Sequence, residues 1–282
     1  MPRWEALGRV IVGDDDPSPR VMGVVNVTPD SFSDGGQFAD PSAALGHARA
    51  LMAEGADLLD VGGESSRPGS ESVAEAEELR RVVPAVDVIV KALDAVVSVD
   101  TTKAEVARQA LLAGAAVVND ITALGADPGL TRVVADSGAG VVLMHMRGVP
   151  KSMQSDPAYA DVVAEVYEFL ARRVEAAVAA GIPRERVAID PGIGFGKTFA
   201  HNLELLRNLR RFEGLGCVVL IGTSRKGLLG TITGRPAGQR AHASAVSALA
   251  AAANGARVVR VHDVGPTVDA LKVWSAQVGW GR

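Results

Sequence analysis

Short runs of Val, Ile and Leu recur along the chain: Val21 to Val25, Leu58 to Val61, Val96 to Val99, Ala115 to Val118, Val141 to Met144, Val187 to Ile189, Cys217 to Ile221, and Val258 to Val261. None alternates clearly with polar residues. Near-continuous apolar runs of about 4–8 residues fit parallel strands buried on both faces.

Segments with helical periodicity fill the gaps. Asp40-Pro41-Ser42 reads as an N-cap followed by Pro at the first helical position, opening a helix to about Glu54 with Gly55 as its stop. Ser72-Val73-Ala74-Glu75 has the form of a capping box ahead of Leu79, Val82 and Val83, and Thr102-Lys103-Ala104-Glu105 is another, closed by Gly114. Helices are also predicted over Pro128–Asp136, Tyr159–Ala180, His201–Phe212, Arg240–Ala253 and Pro266–Val278.

Eight strands thus alternate with eight helices in 282 residues, close to the ~250 typical of a (β/α)8 barrel. An open doubly wound sheet is the rival. The eightfold count and the lack of any linker favour an α/β TIM barrel forming a single domain over residues 1–282. Trp4 to Val12 falls outside the count and is expected to form a hairpin over the N-terminal end of the barrel.

Composition narrows the function. The chain is 48% hydrophobic and 22% charged, enough for a large core. With 29 Lys and Arg against 33 Asp and Glu, the net charge of −4 argues against an electrostatic grip on nucleic acid or an acidic membrane surface. No apolar run approaches the ~18 residues of a membrane span, and the N-terminus lacks a signal-peptide core, so a cytoplasmic protein is expected. The lone Cys217 excludes an intrachain disulfide and a multi-cysteine zinc site, and its apolar setting reads as buried filler. Asp14-Asp15-Asp16, beside Pro17-Ser18-Pro19, reads as a solvated turn.

The residues at the C-terminal end of each apolar run are more informative. The runs lead into Asn26, Gly62-Gly63-Glu64-Ser65-Ser66-Arg67-Pro68-Gly69, Asp100, Asn119-Asp120, Met144-His145, Asp190, Gly222-Thr223-Ser224-Arg225-Lys226, and Arg260-Val261-His262-Asp263. In a barrel these points form one ring on the face where active sites sit. Polar strand ends are ordinary at a surface, but carboxylates, amides and cations at all eight point to a site. Asp100, Asn119 and Asp190 suit the donor edge of a flat, N–H-rich heterocycle. Lys226, Arg260, His262 and Arg67 offer cations. Arg260 and His262, two apart on one extended strand, face the same way, just ahead of a helix start, which makes an anion site for phosphate. The alternative stays open that Lys226 is an exposed lysine and that Arg260 pairs with a core carboxylate. Asn26 is a candidate ligand for a magnesium ion held mainly by substrate phosphate.

Two motifs are decoys. Gly192-Ile193-Gly194-Phe195-Gly196-Lys197-Thr198 resembles a P-loop, but that motif needs its first glycine where Pro191 stands. Ser65, Ser224, His145 and His262 are available for a triad, yet no Gly-x-Ser-x-Gly elbow is present. The Gly-, Pro- and Ser-containing loops 27–38 and 62–70 are candidate lids around Asp30, Phe32 and Arg67. Phe32, an aromatic at a loop tip, needs something apolar to cover.

The chain resembles the dihydropteroate synthases. The matching stretches are Asn26-Val27-Thr28-Pro29-Asp30-Ser31-Phe32-Ser33-Asp34-Gly35-Gly36, Gly62 to Gly69, Asp100-Thr101, Asn119-Asp120, Leu143-Met144-His145-Met146, Asp190 to Gly196, Ser224-Arg225-Lys226, and Arg260 to Val264. Ser66 stands where many members carry Thr, so the hydroxyl is retained.

The resemblance implies a (β/α)8 barrel that condenses (7,8-dihydropterin-6-yl)methyl diphosphate with 4-aminobenzoate. It implies that Asp100, Asn119, Asp190 and Lys226 hold the pterin, with Phe195, Gly222 and Met144 nearby. Asn26, Arg260 and His262 would hold the diphosphate, with Mg²⁺ on Asn26. Ser66, Arg67, Pro68, Phe32, Asp30 and Ser224 would shape the aminobenzoate site and lid. Asp100, Lys226, Arg260 and His262 form the expected catalytic set, and a homodimer is expected. The rival readings are a methyltetrahydrofolate-type methyltransferase barrel, a non-catalytic pterin-binding paralogue, and a sugar-phosphate barrel. The methyltransferase has no use for a diphosphate grip, and the sugar-phosphate barrel has none for the Asp100/Asn119/Asp190 set.

Overall fold

The computed structural model describes residues 2–28 and 40–279. Two short strands, β1 (Trp4–Ala6) and β2 (Arg9–Val12), form an antiparallel hairpin. Eight parallel strands come next: β3 (Arg20–Asn26), β4 (Leu58–Gly62), β5 (Val96–Asp100), β6 (Val117–Asp120), β7 (Gly140–Met144), β8 (Val187–Asp190), β9 (Val218–Ile221) and β10 (Val258–Val261). They close in sequence order into a barrel, β10 pairing with β3. The expected fold class is therefore found.

Strand alternation sorts the core into two parts. Inward residues Met22, Leu58, Val117, Val142, Ala188, Val218, Leu220 and Val258 pack together inside the barrel. The hairpin joins that cluster through Trp4, Ala6, Ile11 and Val12, and Trp4 Nε1 donates to the Arg186 carbonyl at 3.1 Å. It therefore plugs the N-terminal end, as expected. Outward residues such as Val25, Val61, Val99, Val118 and Ile189 pack against the helices. Asp60 and Ser98 interrupt this apolar filling: both are fully buried, and they are register partners on β4 and β5.

The helices are α1 (Pro41–Ala53), α2 (Glu75–Ala92), α3 (Ala104–Leu112), α4 (Pro128–Ser137), α5 (Val162–Ala179), α6 (Phe199–Arg207), α7 (Gly227–Thr233), α8 (Ala241–Ala253) and α9 (Val264–Gln277). Asp40 caps α1 through Ser42 N, as its sequence predicts. The two predicted capping boxes are not made. Ala74 and Lys103 occupy the N-cap positions of α2 and α3 without a side-chain cap. Instead Asp127, the cap of α4, reaches across to Ala104 N at 2.8 Å, so a tertiary acceptor replaces the local one. The predicted helix His201–Phe212 is split into α6 and a 3-10 stretch, Leu209–Leu215. Helix α7 is an unpredicted addition after β9. Its seven residues, GLLGTIT, are too few and too glycine-rich to show a helical period.

Candidate active site

Register places Asn26, Gly62, Asp100 and Asn119 side by side on four neighbouring strands, at the C-terminal mouth of the barrel. Met144 and Asp190 are partners on β7 and β8. Gly62 lies against Asp100: a Cβ on it would sit in ordinary contact, 3.4 Å from the Asp100 Cβ.

An ionic network lies directly beneath. Arg260 Nε donates to Asp60 Oδ2 at 2.6 Å, and Arg260 Nη2 to Asp100 Oδ2 at 2.9 Å. Asn119 Nδ2 donates to the same Asp60 oxygen at 3.0 Å. The pairing of Arg260 with a core carboxylate, one of the two readings left open, is thus made. It does not exhaust a guanidinium with five N–H donors. Burial pushes the Asp100 carboxyl up to about 7, with Arg260 opposing and Asp60 reinforcing.

On the opposite wall, burial raises the Asp190 carboxyl while Lys226 pulls it back, and its Oδ1 accepts from Gly192 N at 2.7 Å. Burial also brings the Lys226 ammonium down to about 8, with Asp190 opposing. The ammonium donates to the Ile193 carbonyl and lies 4.6 Å from the centre of the Phe195 ring. It is no free surface lysine. Phe195, Met144 and Met153 pack together with Ile121 and Met146, giving the mouth one apolar wall. A Cβ at Gly222 would lie 3.9 Å from Lys226 Nζ and 3.8 Å from Arg260 Cβ, so that residue is between the two cations.

His262 differs from expectation. Burial, reinforced by Arg260 and Arg225, lowers its imidazole to about 3. Before an anion binds, such an imidazole is neutral at pH 7, a hydrogen-bonding group beside the Arg260 cation. Its backbone N and Nδ1 lie 3.1 and 3.2 Å from Ser224 Oγ. Arg225, at φ 58°, forks onto Asp263 with bonds of 3.0 and 2.5 Å, which ties the Ser224–Lys226 turn to the exit of β10. The three-residue motif therefore has two inward members and one structural clamp.

Other expected residues are placed less centrally. Ser66 is half-buried, and Arg67 and Pro68 are exposed on the loop after β4. That loop is held at its base by Glu64 on Lys103 and by Arg81 Nη1 on the Gly63 carbonyl at 2.9 Å. Its tip is held by Gly69 N on the Pro150 carbonyl at 3.0 Å. Asp30 and Phe32 lie outside the described residues. His145 does not join the ring: it packs edge-on against Phe169 of α5 at 4.8 Å. Asp120 is used locally, accepting from Thr122 N and Leu124 N at 2.7 and 2.6 Å.

Asp60 and Lys197 are the site residues that the sequence reading missed. Lys197 is 2% exposed and donates to the Phe195 carbonyl at 2.9 Å, with His145 Nδ1 also 2.9 Å away. It clamps the Phe195 segment to the end of β7. The signal for Asp60 was a carboxylate inside the run Leu58–Val61, in step with Leu58 and Gly62 on the inward face.

Among the described residues no cluster of three His, Cys, Asp or Glu could hold a metal. Asn26 presents a half-buried amide at the end of β3. That donor set does not suit a resident ion, but it suits magnesium arriving with a phosphorylated ligand, since magnesium keeps most of its water and binds few protein oxygens.

A (β/α)8 barrel with an acceptor-lined, cation-flanked mouth is the class defined by this geometry, and residues 22–262 match the family of pterin binding enzymes. The dihydropteroate synthase of Neisseria meningitidis serogroup C is 45% identical over 277 residues, 97% of this chain and 96% of its own length. Xanthomonas albilineans dihydropteroate synthase with 4-aminobenzoic acid superposes with a TM-score of 0.91 at 51% identity, covering 98% of each chain. The same enzyme in complex with 7,8-dihydropteroate gives a TM-score of 0.87 at 48% identity, covering 98% of this chain and 99% of that one. The chain belongs to the dihydropteroate synthase family, transferases that form dihydropteroate.

Proposed function

We propose that the whole chain acts as one catalytic domain that joins (7,8-dihydropterin-6-yl)methyl diphosphate to 4-aminobenzoate, releasing diphosphate. The observation that carries this reading is the pairing of an acceptor wall (Asp100, Asn119, Asp190) with two half-buried cations (Arg260, Lys226) at one barrel mouth. In this reading Asp100, Asn119 and Asp190 accept from the donor edge of the pterin. Lys226 donates to its carbonyl side, and Phe195, Met144 and Gly222 shape the slot. Arg260, His262 and Asn26 hold the diphosphate. Ser66, Arg67, Pro68, Ser224, Asp30 and Phe32 shape the aminobenzoate side.

The methylene C–O bond breaks with its electron pair going to diphosphate. The aniline nitrogen then forms the new C–N bond and gives up a proton. Donors placed where charge grows are worth most in a water-poor site. Arg260 is already fixed by Asp60 and Asp100, so it needs little reorganisation to meet the leaving group. Neutral His262 donates a hydrogen bond there. Ionised Asp100 offsets the positive charge left on the pterin methylene. Mg²⁺ on Asn26 and the diphosphate would neutralise the leaving group.

Diphosphate release is measured with and without 4-aminobenzoate while dihydropteroate is followed directly. Product formation supports the reading, and tight pterin binding without product rejects it in favour of a non-catalytic paralogue. Arg260→Ala is expected to weaken the diphosphate substrate far more than the bare pterin, and Asp190→Asn to weaken both. Equal losses for Arg260→Ala would remove its phosphate role.

The reading includes the cytoplasm, in keeping with a lone, free Cys217, and a homodimer. Helix α8 is alanine-rich, with its inner face already buried and Val246 and Ala250 exposed on its outer face. A groove of about 620 Å³ between α6, α7 and α8 brings exposed Ile232 and Val246 over Leu203, Leu206 and Leu229. Exposed apolar side chains grouped over a groove mark an interaction surface, and a second copy is the occupant we assign. Val246→Glu should turn a dimer into a monomer in sedimentation equilibrium. A wild-type monomer at micromolar concentration refutes the assignment.

A further inference from the structure

The structure assigns to Asp60 the role of a specificity-determining positioning residue: its Oδ2 orients the Asn119 amide so that the barrel mouth presents an acceptor there and selects a heterocycle bearing an exocyclic amino group. This rests on the pterin-binding reading above and deepens it.

Asp60 is fully buried in the barrel interior, one inward step below Gly62. Its Oδ2 accepts from both Arg260 Nε at 2.6 Å and Asn119 Nδ2 at 3.0 Å. A carboxylate beside a guanidinium accepts and does not donate. The Asn119 amide therefore has one orientation, with Nδ2 turned down to Asp60. Turning it over would set two oxygens against each other in a buried place. Among the described residues no protein donor reaches the other amide atom, Oδ1, and Asn119 lies next to Asp100 in register. With Asp100 and Asp190 the mouth then presents acceptors without an intervening amide donor. A ligand amino group satisfies such a wall, whereas a carbonyl in its place meets lone pairs. A site built to bond an N–H group rejects the analogue lacking it by large factors, because its own polar atoms are left unpaired.

Among the described residues the second oxygen, Asp60 Oδ1, is buried without a partner, as is Ser98 Oγ on the register-paired residue of β5. This asymmetry makes the proposal testable. In Asp60→Asn the amide oxygen can take the Oδ2 place and keep both bonds, while the new NH2 takes the place of Oδ1. In Asp60→Leu nothing holds the Asn119 amide.

Dissociation constants are measured by calorimetry for a 2-amino-4-oxopteridine and its 2,4-dioxo analogue. The wild type is expected to prefer the amino compound by roughly a hundredfold or more. Asp60→Asn should keep that ratio within about threefold, and Asp60→Leu should compress it by about tenfold or more. A merely structural role weakens both ligands together and leaves the ratio alone. Equal losses for Asp60→Leu, or a ratio lost equally in Asp60→Asn, overturns the proposal. A wild type that binds both compounds equally overturns it as well, whereas one that binds neither fails the pterin reading itself. If Asp60→Leu does not fold, NMR exchange of the Asn119 side-chain NH2 in the wild type decides: protection supports the anchor, and exchange at the rate of an open amide removes it.

Discussion

The glycines of Gly192-Ile193-Gly194-Phe195-Gly196 serve close backbone approach, and a graded alanine series tests this. Gly192 has φ +72°, and a Cβ there would fall 1.9 Å from the His145 carbonyl oxygen; at Gly196, with φ +62°, it would fall 2.3 Å from the Arg147 carbonyl. Gly181, at φ +94° just past α5, has nothing within 4 Å and is the control. Alanine in the left-handed region costs about 1–2 kcal/mol, and Gly181→Ala should show that cost alone. At Gly192 the segment must also retreat by roughly 1.5 Å to reach an ordinary contact distance. The bonds at stake are His145 N to the Asp190 carbonyl, 2.9 Å, and Gly192 N to Asp190 Oδ1, 2.7 Å. A neutral bond contributes about 1 kcal/mol and one to a charged group about 1.5–3, so with the left-handed cost Gly192→Ala should lose about 3.5–6 kcal/mol in total if both bonds break. Urea unfolding gives the stability, and calorimetry with a bare pterin gives the site. Gly192→Ala should also lose pterin affinity at least tenfold, because Asp190 and Phe195 move with the segment. Gly194→Ala, whose Cβ would meet only the Lys226 side chain at 3.3 Å, should fall between the two. A Gly192→Ala variant no less stable than Gly181→Ala, with pterin binding intact, would refute the reasoning.

Three further outcomes rest on the same geometry. With Asp100 pushed up to about 7 and Lys226 brought down to about 8, kcat/KM for the diphosphate substrate should rise with pH as Asp100 ionises and fall as Lys226 deprotonates. A profile flat from pH 6 to 9 would exclude both as required ionisations, and Lys226→Met should remove the alkaline limb. Trp4→Ala, which empties a fully buried position in the plug, should cost about 3–5 kcal/mol in urea unfolding, while kcat of the folded fraction stays near wild type because the plug is at the opposite end from the mouth. Burial raises the Cys217 thiol to about 11, so a disulfide reagent at pH 8 should modify it only at the rate of unfolding; rapid labelling of the native chain would contradict its burial.

The barrel was legible because its signals are local and repeated. Each strand is a short apolar run, and eight parallel members with helices packed outside them bury every run on both faces. The ring at the mouth was legible for a related reason: a strand end is a one-dimensional marker, and the residue standing there is positioned whatever its partners are. The hidden features depend on pairing across the fold. The caps of α2 and α3 look local in the sequence, yet the acceptor that reaches the first turn of α3 is Asp127, 23 residues away. His262 reads as a cation by residue type, and only its burial beside Arg260 and Arg225 shows it to be neutral.

Asp60 shows most clearly where sequence reasoning stops. In the run Leu58-Leu59-Asp60-Val61 a single carboxylate is outweighed by its apolar neighbours, so the run is read as filling. The energetics say the opposite, since a buried charge persists only where partners hold it. Its partners, Arg260 and Asn119, are 200 and 59 residues away. Both read as ligand-binding groups in the sequence, and each donates to the same Asp60 oxygen. A charged residue at an inward strand position therefore carries as much information as the strand ends. In a barrel the layer below the mouth decides which atoms the mouth presents, because side chains there have no solvent to turn toward and their hydrogen bonds fix which atoms of the layer above remain free.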